Sequence, residues 1–305
     1  MDLLTTTLAA GIVLATPLIL AAMGGLVNMR GGIVNIALEG LMVVGAFTAV
    51  LVSWKTGNTW VALLAAAIAG GLAALPFSVV VTRLGANEIV AGLGFNILVV
   101  GLIGYLLPVV FDTQGVLNPP QLAELPTVRI PGVESVPLVG RLLSGKTPLT
   151  YLAFVSVPLV AWFLYRTTWG IRLRASGEDP EAARAAGIRS LAWRDLSTVI
   201  AGVFSGLAGA QLSIGIVSLF GKDMVAGRGF IALAAFYFGA ARPWPTAAAA
   251  FLFGVVDALQ FRLPGDVLPS QVVAMLPYLA VVVALTVVAV LRHRRTARPV
   301  VGTRA

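Results

Sequence analysis

Two carboxylates stand within runs of apolar residues: Glu39, in Gly31-Gly32-Ile33-Val34-Asn35-Ile36-Ala37-Leu38-Glu39-Gly40, and Asp257, within Pro245–Phe261. In hydrocarbon an ionised group is costly, so it faces the protein interior, a partner or water. Asn35, Asn96, Gln211 and Gln260 lie in similar surroundings, and Asn87-Glu88 opens a further apolar run. Two roles suit such residues. They can line a route for a hydrophilic solute, with Glu39 or Asp257 also able to couple that route to an ion gradient. Or they can hydrogen-bond between helices as satisfied structural groups. Taken singly the structural role is the commoner; taken as a set they favour a polar route, and Glu88 also suits the headgroup level.

Gly140-Arg141-Leu142-Leu143-Ser144-Gly145-Lys146-Thr147 matches the phosphate-loop pattern. That pattern binds phosphate when a strand feeds the loop and a helix follows it. Here Pro148 directly follows Thr147 and removes a backbone donor, and no soluble α/β core surrounds the motif. Cysteine is absent, so disulfides and thiolate metal sites are excluded. His293 lies in a basic tail. No metal cluster or hydrolase triad is visible, and no catalytic residue, metal or cofactor is expected.

The elements that carry these residues belong to a membrane. Of 305 residues, 58% are hydrophobic and 11% charged, with a mean hydropathy of +0.95, whereas soluble domains are about a quarter charged. Apolar runs long enough for a bilayer, about 20 residues each, cover Leu8–Val27, Ile33–Val52, Trp60–Thr82, Ile89–Phe111, Leu149–Tyr165, Leu196–Phe220, Phe230–Ala241, Pro245–Phe261 and Val272–Leu291. Each backbone polar group must be paired in hydrocarbon, so these runs are read as helices. The expected fold is all-α: a single polytopic transmembrane bundle of about nine spans over residues 1–305. The first run lacks a basic leader and is read as a span rather than a cleaved signal. Gly202/Gly206 and Ser205/Gly209 are read as close helix packing.

Orientation follows from lysine and arginine. With the C-terminus in the cytoplasm, that side holds Arg30, Arg83, Arg166, Arg172, Arg174, Arg184, Arg189, Arg194, Arg242, Arg292, Arg294, Arg295, Arg298 and Arg304. The outer side holds Lys55, Arg129, Arg141, Lys146, Lys222, Arg228 and Arg262, so fourteen of the 21 basic residues face inward. The net charge of +8 is thus topological and does not imply nucleic acid. The N-terminus is expected outside and the phosphate-loop lookalike also outside, away from ATP. Residues 112–148 form a proline-rich outer loop, read as a cap with a short extended segment around Val128–Val139.

The cytoplasmic loop, residues 166–195, contains Glu178-Asp179-Pro180-Glu181-Ala182-Ala183-Arg184-Ala185-Ala186-Gly187-Ile188. Asp179 suits an N-cap, Pro180 the first helical position, Glu181 the positive end of the helix dipole and Gly187 the stop. A helix of about two turns is marginal alone. A docking partner, or its own membrane domain or headgroups, would hold it.

This loop resembles the coupling helix of ABC importer permeases of the sugar, nucleoside and branched-chain amino-acid branch. Gly31–Gly40, Asn87-Glu88-Ile89-Val90-Ala91-Gly92 with Asn96, Thr167–Ala175, Ala226–Ala234 and Phe253-Gly254 are similar to other motifs of that branch. The likeness runs from about Leu18 to Leu291 and is nearest to the smaller permease of nucleoside-type importers. The resemblance implies a plasma (inner) membrane subunit that pairs with a second permease, receives solute from an extracytoplasmic substrate-binding protein and is driven by a cytoplasmic ABC ATPase gripping the loop. The solute would be small and hydrophilic, a nucleoside or simple sugar. An ion-driven secondary transporter is the alternative, and a non-transporting scaffold a third class. Gly32-x-x-x-Ile36-Ala37-Leu38 is echoed by Gly227-x-x-x-Ile231-Ala232-Leu233, with Gly229 inside the second copy. Paired glycine-interrupted segments of opposite direction hint at an inverted repeat with the pathway at its interface. Phe230–Ala241 is too short to cross straight and is read as part of a broken helix continuing past Pro243 and Pro245.

Overall fold

The computed structural model describes residues 2–111, 115–117, 122–129, 142, 144–221, 223–260 and a few positions between 275 and 286. The ninth expected span, Val272–Leu291, falls almost wholly outside the described residues, as do the basic tail and most of 112–143.

The helices, in chain order, are α1 (Asp2–Arg30), α2 (Leu38–Thr56), α3 (Thr59–Thr82), α4 (Glu88–Phe111), α5 (Pro148–Arg166), α6 (Thr168–Glu178), α7 (Pro180–Ala185) and α8 (Ser190–Ala210). A π-helix (Gln211–Val217) extends α8, and α9 (Arg228–Phe238) and α10 (Pro243–Gln260) follow. Two short strands, β1 (Val116–Leu117) and β2 (Phe220–Gly221), pair antiparallel. The result is a helical membrane bundle. Among the described residues, six helices are long and apolar enough to cross a bilayer: Thr5–Arg30, Leu38–Thr56, Thr59–Thr82, Glu88–Val110, Pro148–Arg166 and Ser190–Val217.

Local chemistry sets the boundaries. The Asn58 carboxamide accepts from the N–H groups of Trp60 and Val61 and starts α3; Gly57, at φ +62°, ends α2. Asn87 does the same for α4, accepting from Ile89 N–H at 2.9 Å and Val90 N–H at 3.3 Å. Three helix starts differ clearly from expectation: α1 begins at Asp2 and α8 at Ser190, each six residues early, and α2 begins late. The run Ile33–Val52 is not helical at its start: residues 33–37 carry no regular helix, and α2 begins at Leu38. Gly32, at φ +83°, turns the chain out of α1, and side chains from α4 take over part of the pairing that a helix would supply.

Helix α8 is the hub, packed on α3, α2 and α1, while α1 runs along α10. Lipid is as apolar as leucine, so such contacts depend on close packing rather than on expulsion of water. Glycines provide it. Gly70 on α3 lies against the Gly202 carbonyl, Gly206 against Ala66, Gly45 on α2 against Gly206, and Gly209 against Met42. A β-carbon at any of these positions would collide with backbone. The outward faces are apolar: Leu64, Ile68 and Leu72 on α3 and Ile97, Leu98, Leu102 and Val109 on α4 are exposed.

Candidate functional site

The lead-in to α2 is held by α4. Glu88 Oε2 accepts from Val34 N–H at 2.7 Å. Asn96 accepts from Gly40 N–H at 2.8 Å and donates to the Ile36 carbonyl at 2.9 Å. Asn35 closes a local turn, its Oδ1 accepting from Ala37 N–H at 2.9 Å. Glu88, which the sequence offered both to the polar set and to the headgroup level, is half-buried and tied to backbone of the lead-in segment. A non-helical stretch packed within an apolar bundle must find its partners in protein or water, and these side chains supply some of them. The buried Asn35 Nδ2 has no protein partner.

The start of α9 meets the start of α2. Glu39 Oε1 accepts from Gly227 N–H at 2.8 Å and Oε2 from Gly229 N–H at 2.7 Å. A helix N-terminus favours an anion because its first N–H groups are unpaired and its dipole is positive there. Gly229 is required for the approach, since a β-carbon would lie 2.5 Å from the Glu39 nitrogen and 2.7 Å from its Oε2. The two echoed motifs therefore touch. Their glycines are both left-handed, Gly32 at φ +83° and Gly227 at +75°, yet the copies differ beyond them: helix starts at once after Gly227 and only at Leu38 after Gly32.

Arg228 lies between the two carboxylates. Its Nη2 contacts Asp257 Oδ2 at 3.0 Å, with the side chains 15% and 7% exposed. Gln260 donates to Asp257 Oδ1. Arg228 is thus part of a buried network, not a surface charge of an outer loop, and is withdrawn from the inside/outside comparison of basic residues. Sequence reasoning had this arginine inside its Gly-Arg-Gly motif but assigned it to topology. Asp257, Gln260, Gly227, Gly229 and Glu39 form one continuous cluster; Asn35, Asn87, Glu88 and Asn96 form a neighbouring one across the lead-in segment.

Gln211 stands apart from both. It is buried where α8 changes to π-helix, and its Oε1 accepts from Thr147 Oγ1 at 2.9 Å. Thr147 and Thr150 Oγ1 atoms lie 3.1 Å apart, and Thr16 donates to Thr150 at 3.1 Å. This also fixes the phosphate-loop lookalike. Lys146 pairs through its backbone with Val128, its Nζ donates to the Ala9 carbonyl at 3.2 Å, and Pro148 opens α5. Burial pushes the Lys146 ammonium below the usual lysine range. The lysine and threonine of the motif are therefore engaged with α1 and the π-helix. Gly140, Arg141 and Leu143 lie outside the described residues. The extended segment expected around Val128–Val139 reduces to Val128 among those described.

The loop of residues 166–195 is more helical than expected. Thr167 caps α6 by accepting from Gly170 N–H at 3.0 Å. After Glu178, Asp179 caps α7, accepting from Glu181 and Ala182 N–H at 3.0 Å each. At the other end Ile188 N–H donates to the Ala183 carbonyl and Gly187 N–H to that of Arg184, with Gly187 at φ +78°. This is the Schellman stop. Ala183 is buried, while Glu181, Ala182, Arg184, Ala185, Ala186 and Gly187 are exposed. Beside them Trp169, Arg172, Gly187, Ile188, Arg189 and Trp193 line an open cavity of about 750 Å³.

Some functional-looking residues carried too little signal. Asn28 donates to Ser197 and Thr198 at 2.9 and 3.0 Å. Asp195 accepts from Ser78, Thr82 and Arg83 at 2.6–3.0 Å. Ser78 and Thr82 share one face of α3 at i, i+4 spacing, which pointed to a polar partner but not to which one.

Residues 7–291 match the family described as branched-chain amino acid transport system / permease component. The chain is 33% identical to the guanosine ABC transporter permease protein NupQ of Bacillus subtilis, over 93% of this chain and 92% of that one. It is 33% identical to the nucleoside ABC transporter permease protein NupC of Lactococcus lactis, over 90% and 89%. To the putative glucose ABC transporter permease protein TsgC13 of Haloferax volcanii it is 35% identical, over 81% and 74%. No solved structure matches it significantly. By the extent of these matches, and by the capped loop helix and the helical bundle that carries it, this chain is an ABC transporter permease and belongs to the branched-chain amino acid transport system / permease component family.

Proposed function

We propose that this chain is the membrane-spanning permease subunit of an ATP-driven importer and forms, with a second permease, the path of a small hydrophilic solute. The N-terminus lies outside and the C-terminus in the cytoplasm. ATP hydrolysis belongs to separate ATPase subunits, which hold α7 and its flanks from Glu178 to Ile188. A substrate-binding protein delivers solute at the outer loops. The observation that carries this reading is α7 itself. It is a six-residue helix capped at both ends, resting on its own protein through Ala183 and in part Pro180, with its other residues exposed. So short a helix gains little stability alone, and its uncovered face is what a partner would grip.

The path follows the polar clusters where α2 and α9 start. Glu39 and Arg228 are partly exposed there, on a face that a second permease would cover. The solute is a nucleoside or simple sugar, following the names of the relatives.

Co-purification tests the coupling. Glu181→Arg combined with Gly187→Pro alters the exposed face and abolishes the left-handed stop, because proline fixes φ near −65°. The ATPase should be lost while the chain stays in the membrane with its second permease. An ATPase retained at wild-type levels would overturn the assignment. Uptake of radiolabelled guanosine and of glucose by the assembled complex separates the two solute classes.

A further inference from the structure

We propose that Arg30 is the positioning residue that transmits movement of the loop carrying α7 to the short helix α9. The inference rests on the coupling role given above to that loop. Arg30 ends α1, and its Nε donates to the Ala241 carbonyl, just beyond α9, at 2.8 Å. Its own backbone lies directly on α6. A β-carbon on Gly177 would come within 2.6 Å of the Gly32 nitrogen and 2.7 Å of the Gly31 carbonyl carbon, and one on Gly32 within 2.8 Å of Gly177 Cα. Backbone packed on backbone has no side-chain slack. A displacement of α6 and α7 is therefore passed to the Arg30–Gly32 turn, and from there through one charged hydrogen bond to the end of α9.

Helix α9 is built to respond as a unit. It has 11 residues and is bounded by left-handed pairs at both ends: Ala226 at φ +48° and Gly227 at +75° before it, Ala240 at +49° and Ala241 at +51° after it. Alanine in this region is strained by its β-carbon and is held there only by its surroundings. Such positions absorb backbone rotation at hinges. The far end of α9 holds Glu39 through Gly227 and Gly229. Rotation of α9 about that end changes the contact with α2, where the solute path is placed. Arg194, which donates to the Gly32 carbonyl at 3.2 Å, anchors the same turn to α8.

The chain has no cysteine, so introduced cysteine pairs in it can be spin-labelled at chosen positions before it is assembled into the complete transport complex. One pair joins Trp60 to Ala185, reporting α7; the other joins Trp60 to Phe230, reporting α9. All three positions are exposed. In the otherwise unaltered complex both distances should shift when ATP and vanadate trap it. In Arg30→Ala the Ala185 distance should shift in full and the Phe230 shift should be lost. Uptake of radiolabelled guanosine should fall about tenfold, with ATP hydrolysis within about twofold of wild type, since allosteric couplings are typically worth 5–150-fold. Arg30→Met keeps much of the stem but has no donor, and should give the same result should the alanine variant fail to assemble. A full Phe230 shift in the Arg30 variant overturns this inference alone. A complex in which the Ala185 distance never shifts overturns the coupling role as well.

Discussion

Asp257→Ala should destabilise the chain by about 3–5 kcal/mol, the usual cost of removing one partner of a buried ion pair. The structure supports the upper part of that range. The Arg228–Asp257 distance is 3.0 Å and both side chains are at most 15% exposed, so solvent screens little. At an effective dielectric of 20, charges this close attract by about 5 kcal/mol. Without Asp257, Arg228 keeps two long contacts, at 3.3 and 3.4 Å, to the Met224 and Val225 carbonyls, and its Nε already lacks a protein partner. The paired change Arg228→Met with Asp257→Ala removes the charge that has lost its ion-pair partner, leaving Glu39 to the Gly227 and Gly229 N–H groups, and should cost clearly less than Asp257→Ala alone. Equilibrium unfolding in mixed detergent–SDS micelles reads both, and the double-mutant cycle should return a coupling of about 2–3 kcal/mol. Costs that add within about 0.5 kcal/mol, or a single variant as stable as wild type, would refute the ion pair as a structural lock. Asp257 would then be free for the ion-coupling role that its position in an apolar run first suggested.

Gly206→Val inserts side-chain volume where α8 meets the backbones of Ala66 and Gly70; it should cost about 3 kcal/mol or more, at or above the overpacking range, in the same unfolding assay. Gly101→Ala, with open space around it, should be neutral or stabilising by up to about 1 kcal/mol. Asp179→Ala removes the α7 N-cap, worth about 1 kcal/mol; ATPase recovered with the chain should fall, and Asp179→Ser should restore most of it. Lys146→Ala loses one hydrogen bond to the Ala9 carbonyl, with a stability loss near 1 kcal/mol and ATP hydrolysis by the complex unchanged; a collapse of hydrolysis would revive phosphate binding at Gly140–Thr147.

Much of the bundle was legible because apolar run length reports directly on a helix that must satisfy its own backbone. The caps of α7 were legible for the same local reason: Asp179, Pro180 and Gly187 each act within a few residues of themselves. The start of α2 was not. Ile33–Ala37 reads as part of the same apolar run, and besides the local bonds of Ile33 and Ala37 it is Glu88 and Asn96, more than fifty residues away, that pair the non-helical backbone there. Arg228 was misread because charge counting treats an arginine near a loop as solvated, while its partner lies 29 residues along the chain. The contact of Glu39 with Gly227 and Gly229 spans about 190 residues; the echo of the two glycine motifs pointed to it without revealing that a carboxylate joins them.

Solute uptake into proteoliposomes holding the complete complex tests the central claim most directly. With ATP supplied to the face that bears α7, uptake of radiolabelled nucleoside should require the ATPase subunits, stop with vanadate and ignore a protonophore. Uptake by this chain alone, abolished by the protonophore and indifferent to ATP, would contradict it.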